Sequence, residues 1–510
     1  MSRQIQSHHQ DSIFSGWLRY LLPGLGEIIF AAVFIAVLGL GPRLFNVDGD
    51  LGRHLTIGQY ILDELSIPTK DIFSHTLSGE ALTPHEWLAQ VLFAAVHRVE
   101  GFDGLVWLAA LILGGTFWLI YQEAYERSGQ MLTAAGFTCL AAAASSLHWL
   151  IRPHLITIAF TALWVRQCER IRSGKKNAWI WLPVLMLMWV NMHGAFLVGI
   201  MVWLMYFLGA FLSGEGLRTA GLRWGLSGLT TLLVTGINPV GWEIYSTGFG
   251  FLGNRYLVGH TAEYLPPDFH HPSTWPFLFL IAGSLFLLGL TRIRLHPSHA
   301  VLLAGWTAMG LYSTRNIPLY AVIAAPILTA VGAEGLNRLP NKLAGRFRKL
   351  QERLSRIQDH LSPGFWGALL VFFTAVFLLM GYTLGPGAAL NRYQADKFPV
   401  QAADWLEEHP QEGNPFNYFP WGGYLLYRGW PDMRVFIDGQ TDFYGEELTR
   451  EYEQVITLSG EWLAVLDRYQ VRWVIMPTGS GVVKELIDRK SWTLIYQDQT
   501  TEIVARSSGH

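Results

Sequence analysis

The strongest constraint on this chain is a succession of apolar runs, each close to the length that crosses a bilayer. Such a run needs about 20 mostly apolar residues, because a helix must span about 30 Å of hydrocarbon. The runs lie near 22–44, 103–122, 131–149, 152–169, 178–191, 194–213, 224–238, 275–291, 298–313, 316–333 and 364–386. Eleven helical spans are therefore expected, since backbone exposed to lipid must satisfy its own polar groups. The first run is long, and no small-residue cleavage site follows it, so it is expected to stay as a span. Composition agrees: 15% of the residues are charged against 51% apolar, with 21 Trp. That charge deficit excludes a disordered chain, an ordinary soluble enzyme and a basic-faced nucleic-acid binder. The two cysteines, Cys139 and Cys168, sit in apolar surroundings and offer neither a disulfide framework nor a zinc site.

Lys and Arg sort the connections between the runs. With residues 1–21 placed in the cytoplasm, the inner loops gather Arg127, Arg166, Arg170, Arg172, Lys175, Arg218, Arg223, Arg292 and Arg294. The basic 336–360 segment is expected to be an interfacial helix on the same side. The outer loops hold fewer, among them Arg53, Lys70, Arg98, Arg152, Arg255 and Arg315. An odd number of spans carries the C-terminus outside. The expected organisation is a cytoplasmic segment 1–21, a transmembrane domain 22–390 whose first outer loop is 45–102, and an extracytoplasmic domain 391–510. In that last region, strand-like runs at 415–419, 434–437, 471–476, 493–496 and 502–505 alternate with helical ones at 402–408, 446–456, 462–469 and 482–489. This predicts a small α/β domain on the periplasmic or extracellular face of an inner (cytoplasmic) membrane.

The unusual polar residues gather at outer span ends, where their cost suggests function. Asp48-Gly49-Asp50 follows the first run. Its carboxylates can hold a divalent metal through oxygens or supply a general base. Equally, Asp50 can cap a helix running to about Leu65, with Asp48 in a turn. His54, four residues on, shares a face with Asp50. Thr83-Pro84-His85-Glu86 has the pattern of a capping box with proline at the first helical position, which gives Glu86 a structural duty beside a catalytic one. In the tight turn His148–His154, Arg152 can clamp a phosphate with His148 or His154 as a further donor, or snorkel to headgroups. Asn191 and His193 divide the apolar run 178–213 and are candidate ligand contacts, and Arg315 begins a later span as a second phosphate clamp. The outer stretch 238–274 is long enough to expect function, though His260 and Glu263 have no confirming spacing. In the tail, 421–424 and 436–442 are expected to form turns, with Asp438 closing one of them.

These positions carry a resemblance. Asp48-Gly49-Asp50 directly after the first run, two interfacial helices, about ten further spans and an outer domain resemble the GT-C class of integral-membrane glycosyltransferases, which use polyprenyl-phosphate sugars. The chain is similar to a broad group of uncharacterised bacterial membrane proteins of that class. Their first loop runs D-P-D-L-W-W-H-L, then a Gly, and later Glu-Trp-Leu. Asp48, Asp50, Leu51, His54, Leu55, Gly58, Glu86, Trp87 and Leu88 match, as do Asn191–Gly194, Trp421–Leu425 and Ile437–Gly439. Gly49 stands in place of the usual proline and Gly52-Arg53 in place of the paired tryptophans, which suggests a small, charged lip to the site. The resemblance implies a polytopic α-helical GT-C-like membrane protein with a C-terminal extracytoplasmic α/β domain. It implies inverting transfer of a sugar from polyprenyl phosphate to an extracytoplasmic acceptor, with Asp48 or Asp50 as base. Arg152 and Arg315, or a magnesium or manganese ion on Asp48 and Asp50, would neutralise the leaving phosphate, and His54 or His193 would orient the reacting groups. The implied partners are membrane lipid, a polyprenyl-linked sugar and an acceptor, with no nucleic acid. An alternative keeps the scaffold as a non-catalytic subunit that binds lipid or a membrane-protein partner. A transporter weighs less, for want of an inverted repeat.

Overall fold

The computed structural model describes residues 22–507 apart from 48, 176, 215–216, 292, 362–364 and 384–390. Asp48, one of the two carboxylates singled out above, therefore lies outside the described residues. The first part of the chain is helical: α1 (Leu25–Leu40), α2 (Asp50–Glu64), α3 (Trp87–Ser128), α4 (Met131–Ser145), α5 (His154–Arg172), α6 (Trp181–Met192), α7 (Leu197–Leu212) and α8 (Leu217–Val234). After two short helices, α9 (Ile244–Gly253) and α10 (Arg255–His260), come α11 (Trp275–Leu290), α12 (Pro297–Tyr312), α13 (Ile317–Arg338), α14 (Asn341–His360) and α15 (Trp366–Leu379).

Among the described residues, six helical segments are long and apolar enough to cross a membrane: Leu25–Leu44, Trp87–Ser128, Met131–His148, Gly194–Leu212, Pro272–Leu290 and Thr314–Arg338. Three shorter apolar helices, Ala178–Met192, Trp224–Val234 and Trp366–Leu379, accompany them. The runs expected near 152–169 and 298–313 are also helical, as α5 and α12. Helix α13 is the buried centre of the bundle, with Ile317, Tyr320, Ile323 and Leu328 almost wholly enclosed. The long α3 is two pieces joined at Gly101, whose φ of 57° lies in the region that glycine tolerates. The break separates the piece before it from the apolar length that packs on α1, where Gly114 makes room for the Phe30 ring.

The rest of the described chain forms α16 (Val400–Glu408), β1 (Asn414–Asn417), α17 (Gly422–Gly429), α18 (Thr441–Ile456), α19 (Trp462–Arg468), β2 (Val471–Pro477), α20 (Gly481–Asp488), β3 (Trp492–Gln497) and β4 (Thr501–Arg506). Its sheet has the order β1-β2-β4-β3, with β1 parallel to β2 and the other pairs antiparallel. The expected strand at 434–437 does not form. The Phe436 N–H donates to Asn417 Oδ1 (2.8 Å), and Val435 instead bridges to Ser74 of the first loop. Helix α17 replaces the turn expected at 421–424.

Backbone contact joins this C-terminal part to α2. A Cβ on Gly52 would stand 2.3 Å from the Gly423 carbonyl oxygen, and one on Gly423 would stand 2.2 Å from that of Gly49. Position 52 therefore has no room for a side chain. Arg53 is not at an exposed lip. Its side chain is buried, ion-paired with the equally buried Asp438 and hydrogen-bonded to Gln440. Asp438 does close a turn, accepting the Gln440 N–H at 3.0 Å, but it also carries this ion pair. Thr76 Oγ1 on the Phe436 carbonyl (2.7 Å) and His75 Nε2–H on that of Pro415 (2.8 Å) extend the seam.

Candidate active site

Two capping expectations fail, and each failure frees a carboxylate. Asp50 is the first residue of α2 rather than its cap; Gly49 takes that place. The expected capping box at 83–86 does not form, because α3 starts at Trp87 and Thr83 Oγ1 instead meets Thr247 Oγ1 at 2.8 Å. Glu86 has the backbone position of the cap, but its side chain makes no capping bond. Both carboxylates turn toward one cluster.

The centre of that cluster is Arg152. The turn that carries it is pinned to the end of the first apolar segment by the Ile151 N–H on the Leu44 carbonyl (2.8 Å). Arg152 pairs with Asp50 through one amino group and with Glu263 Oε1 through the other at 3.0 Å. Arg315 reaches the second oxygen of Glu263 (3.6 Å), donates to the Tyr264 hydroxyl (2.9 Å) and lies over that ring. Glu263 is thus a bridge between two guanidinium groups. Burial alone would raise its carboxyl, but Arg315 and Arg152 outweigh burial and hold it well below the ordinary range.

From Arg315 the contacts pass to His193 Nε2 (3.3 Å) and on to Glu86 Oε1 (3.6 Å). The His193 ring is fixed from behind by Thr157 Oγ1 on Nδ1 (2.7 Å), and the Trp189 indole N–H donates to that hydroxyl (2.8 Å). Glu86 also faces His54 Nδ1 at 3.6 Å and His85 Nε2 at 4.0 Å. Burial pushes the His54 imidazole down to about 4, with Glu86 opposing and Arg152 assisting, so it is neutral at pH 7. The C-terminal part closes the cluster from the other side. Asp442 lies 3.9 Å from His85 Nδ1, and Gly439 packs so tightly on Asp50 that a Cβ there would touch its carboxylate. Thr83, His85, Glu86, Gln90 and Gln440 line a narrow cleft of about 10 Å³.

The structure thus brings together Asp50, His54, Glu86, Arg152, His193 and Arg315. Two other candidates spend their polar atoms within the protein. Asn191 accepts the Trp87 indole N–H (2.8 Å) and donates to the Leu187 and Ile237 carbonyls (both 2.9 Å), so it splices α6 to the start of α3. His154 Nε2–H is held by the His148 carbonyl at 2.5 Å, which fixes the turn around Arg152. Of the expected cation ligands, Asp50 pairs with Arg152 and Asp48 lies outside the described residues; among the described residues no three His, Cys, Asp or Glu side chains form a group that could hold a metal ion. Sequence reasoning noted Glu263 but set it aside for want of a confirming spacing, and it passed over Tyr264. Their one signal was an acidic residue in an otherwise apolar outer stretch, opposite two arginines that needed a counter-charge.

The fold is that of the GT-C class of polytopic membrane glycosyltransferases, and the chain is an integral membrane protein. The archaeal oligosaccharyltransferase AglB of Archaeoglobus fulgidus, in complex with an inhibitory peptide and a dolichol-phosphate, matches with a TM-score of 0.59 at 12% identity, over 91% of this chain and 70% of that one. ArnT from Cupriavidus metallidurans, bound to undecaprenyl phosphate, matches with a TM-score of 0.51 at 13% identity, over 95% and 98% of the two chains. The Archaeoglobus oligosaccharyltransferase in complex with zinc and sulfate gives 0.53 at 12% identity, over 94% and 73%. No family model matches the chain, and no curated protein matches it in sequence. Identities this low carry the fold and leave the chemistry to be argued from the site.

Proposed function

We propose that the protein moves a sugar from a polyprenyl-phosphate donor to an acceptor on the outer face of the cytoplasmic membrane, with inversion at the anomeric carbon. The observation that carries this reading is the convergence of Arg152 and Arg315 on Glu263 beside Asp50. A departing phosphate needs positive charge, and two guanidinium groups already held side by side supply it with little reorganisation. The donor phosphate would exchange with Glu263 on Arg152 and Arg315. The acceptor then attacks the anomeric carbon, the bond from that carbon to the phosphate oxygen breaks, and the electron pair leaves with the polyprenyl phosphate. The acceptor proton passes to Asp48 or Asp50. Glu86 and neutral His54 would orient the sugar hydroxyls. A magnesium or manganese ion held by Asp48 and Asp50 would add to the positive charge that Arg152 and Arg315 supply. In this reading residues 1–21 are cytoplasmic, 22–390 form the membrane domain, and 391–510 lie outside and present the acceptor.

The cleft holds only about one water molecule, so a sugar enters as the segment carrying Gln440 gives way. That tight closure also favours a second reading, a non-catalytic membrane subunit on the same scaffold. Mass spectrometry of lipids and glycans from cells carrying Asp50→Asn or Arg152→Gln separates the two. With protein levels unchanged, transfer should fall by about 100-fold or more, and the polyprenyl-linked sugar should accumulate. Lipid and glycan profiles identical to wild type in both variants would overturn the enzyme reading.

A further inference from the structure

The opposite end of the bundle holds a second charged centre. Arg127 lies about 40 Å along α3 from Gly101, at 1.5 Å per residue, while the start of α3 carries Trp87 beside the candidate active site. Two carboxylates pair with Arg127 through Nη2, Glu123 at 2.9 Å and Glu169 at 3.7 Å, and both are engaged elsewhere as well. Glu169 of α5 accepts the Tyr206 hydroxyl (2.6 Å), His299 Nε2 (2.7 Å) and Arg172 Nη2 (2.7 Å). Glu123 accepts Arg127 Nε (2.9 Å) and Arg166 Nη1 (3.4 Å). Arg127 is left with a shielded Nη1 that has no hydrogen-bond partner among the described residues. Buried donors of this kind are normally satisfied, above all on a cation.

Beside Arg127 is a cavity of about 130 Å³, far more than the roughly 10–15 Å³ that one water needs. Arg127, Arg294 and His299 line its polar side, and Ile293, Ile327 and Val331 its apolar side. None of the described residues lining it is Asp or Glu. Arg294, on the connector between α11 and α12, makes no ion pair among the described residues. The result is a pocket with two guanidinium groups, an unspent donor and a hydrocarbon wall.

We propose that this cavity binds a phosphate group through Arg127 and Arg294, either as the headgroup of an anionic membrane lipid or as a free phosphate compound. The apolar wall gives a lipid chain a place to lie, and the phosphate supplies the acceptor that Arg127 Nη1 lacks. The site is separate from the outer arginines and does not depend on how they act.

The test uses the full-length protein in two settings. In detergent it is titrated with inorganic phosphate. In nanodiscs it is compared in phosphatidylglycerol and phosphatidylcholine, with retained lipid identified by native mass spectrometry and thermal unfolding measured in both settings. The melting temperature should rise to a plateau with phosphate, with phosphatidylglycerol, or with both. A plateau with inorganic phosphate assigns a free phosphate, and one confined to phosphatidylglycerol assigns the lipid headgroup. Arg294→Gln, on an exposed connector, should fold normally and weaken binding by about tenfold or more; Arg127→Gln should act in the same direction. Phosphate held at Arg152 and Arg315 would survive Arg294→Gln unchanged. No shift in the wild type with any probe, or wild-type binding by Arg294→Gln, would overturn the proposal.

Discussion

Arg53 and Asp438 show what burial does to charge when the partner lies hundreds of residues away. Each is almost inaccessible, so removing one leaves the other uncompensated. Asp438→Asn should cost about 3–5 kcal/mol, read as a lower melting temperature in detergent, while the paired change Arg53→Met with Asp438→Leu should recover much of it. The neutral histidines set a pH dependence. Burial pushes His54 and His75 down to about 4, below the ordinary histidine value of 6.5. Between those values the unfolded chain binds protons that the folded chain does not. Stability is therefore full above about pH 6.5 and falls as the pH drops toward 4, by roughly 2–3 kcal/mol per imidazole. His75→Gln should flatten the lower part of a melting-temperature profile, at some cost in stability at neutral pH. In the sequence the polar rim was legible as residue types near span ends. Which of them face one another was not, because Glu263 reaches Arg152 across more than a hundred positions and leaves no local pattern.

At the scale of elements, apolar length and capping chemistry gave unequal guidance. Apolar length located the helices well, since lipid or a buried core selects for it directly. Capping did not, because Thr83 had a better partner in Thr247 and the tail took the backbone space around Gly49. The strand expected at 434–437 failed for the same reason: Asn417 claims the Phe436 N–H that a ladder would need. Glycines 49, 52 and 423 are the joint between α2 and α17. Gly52→Ala places a methyl group 2.3 Å from a carbonyl oxygen, and should cost about 1–3 kcal/mol or more. Loss of amide-exchange protection centred on 422–429, with the membrane helices unchanged, would be the expected signature.

At the scale of the whole molecule, the sorting of charge sets the sidedness. Lys and Arg gather on one set of connections, and the arginine cluster sits at the other end of the bundle with the C-terminal sheet. In intact cells, Thr478→Cys should be labelled by a membrane-impermeant maleimide, and Lys349→Cys only after permeabilisation. The opposite pattern would invert the orientation and move the site to the cytoplasm. The central claim is that Arg152 and Arg315 exist to hold a lipid phosphate beside Asp50. The most direct measurement is an electron-microscopy structure of the full-length protein incubated with a polyprenyl phosphate. Density for the phosphate is expected between the two guanidinium groups, with Glu263 displaced from at least one of them. Arginines still closed on Asp50 and Glu263, with the lipid elsewhere or a protein subunit docked over the cleft, would contradict it.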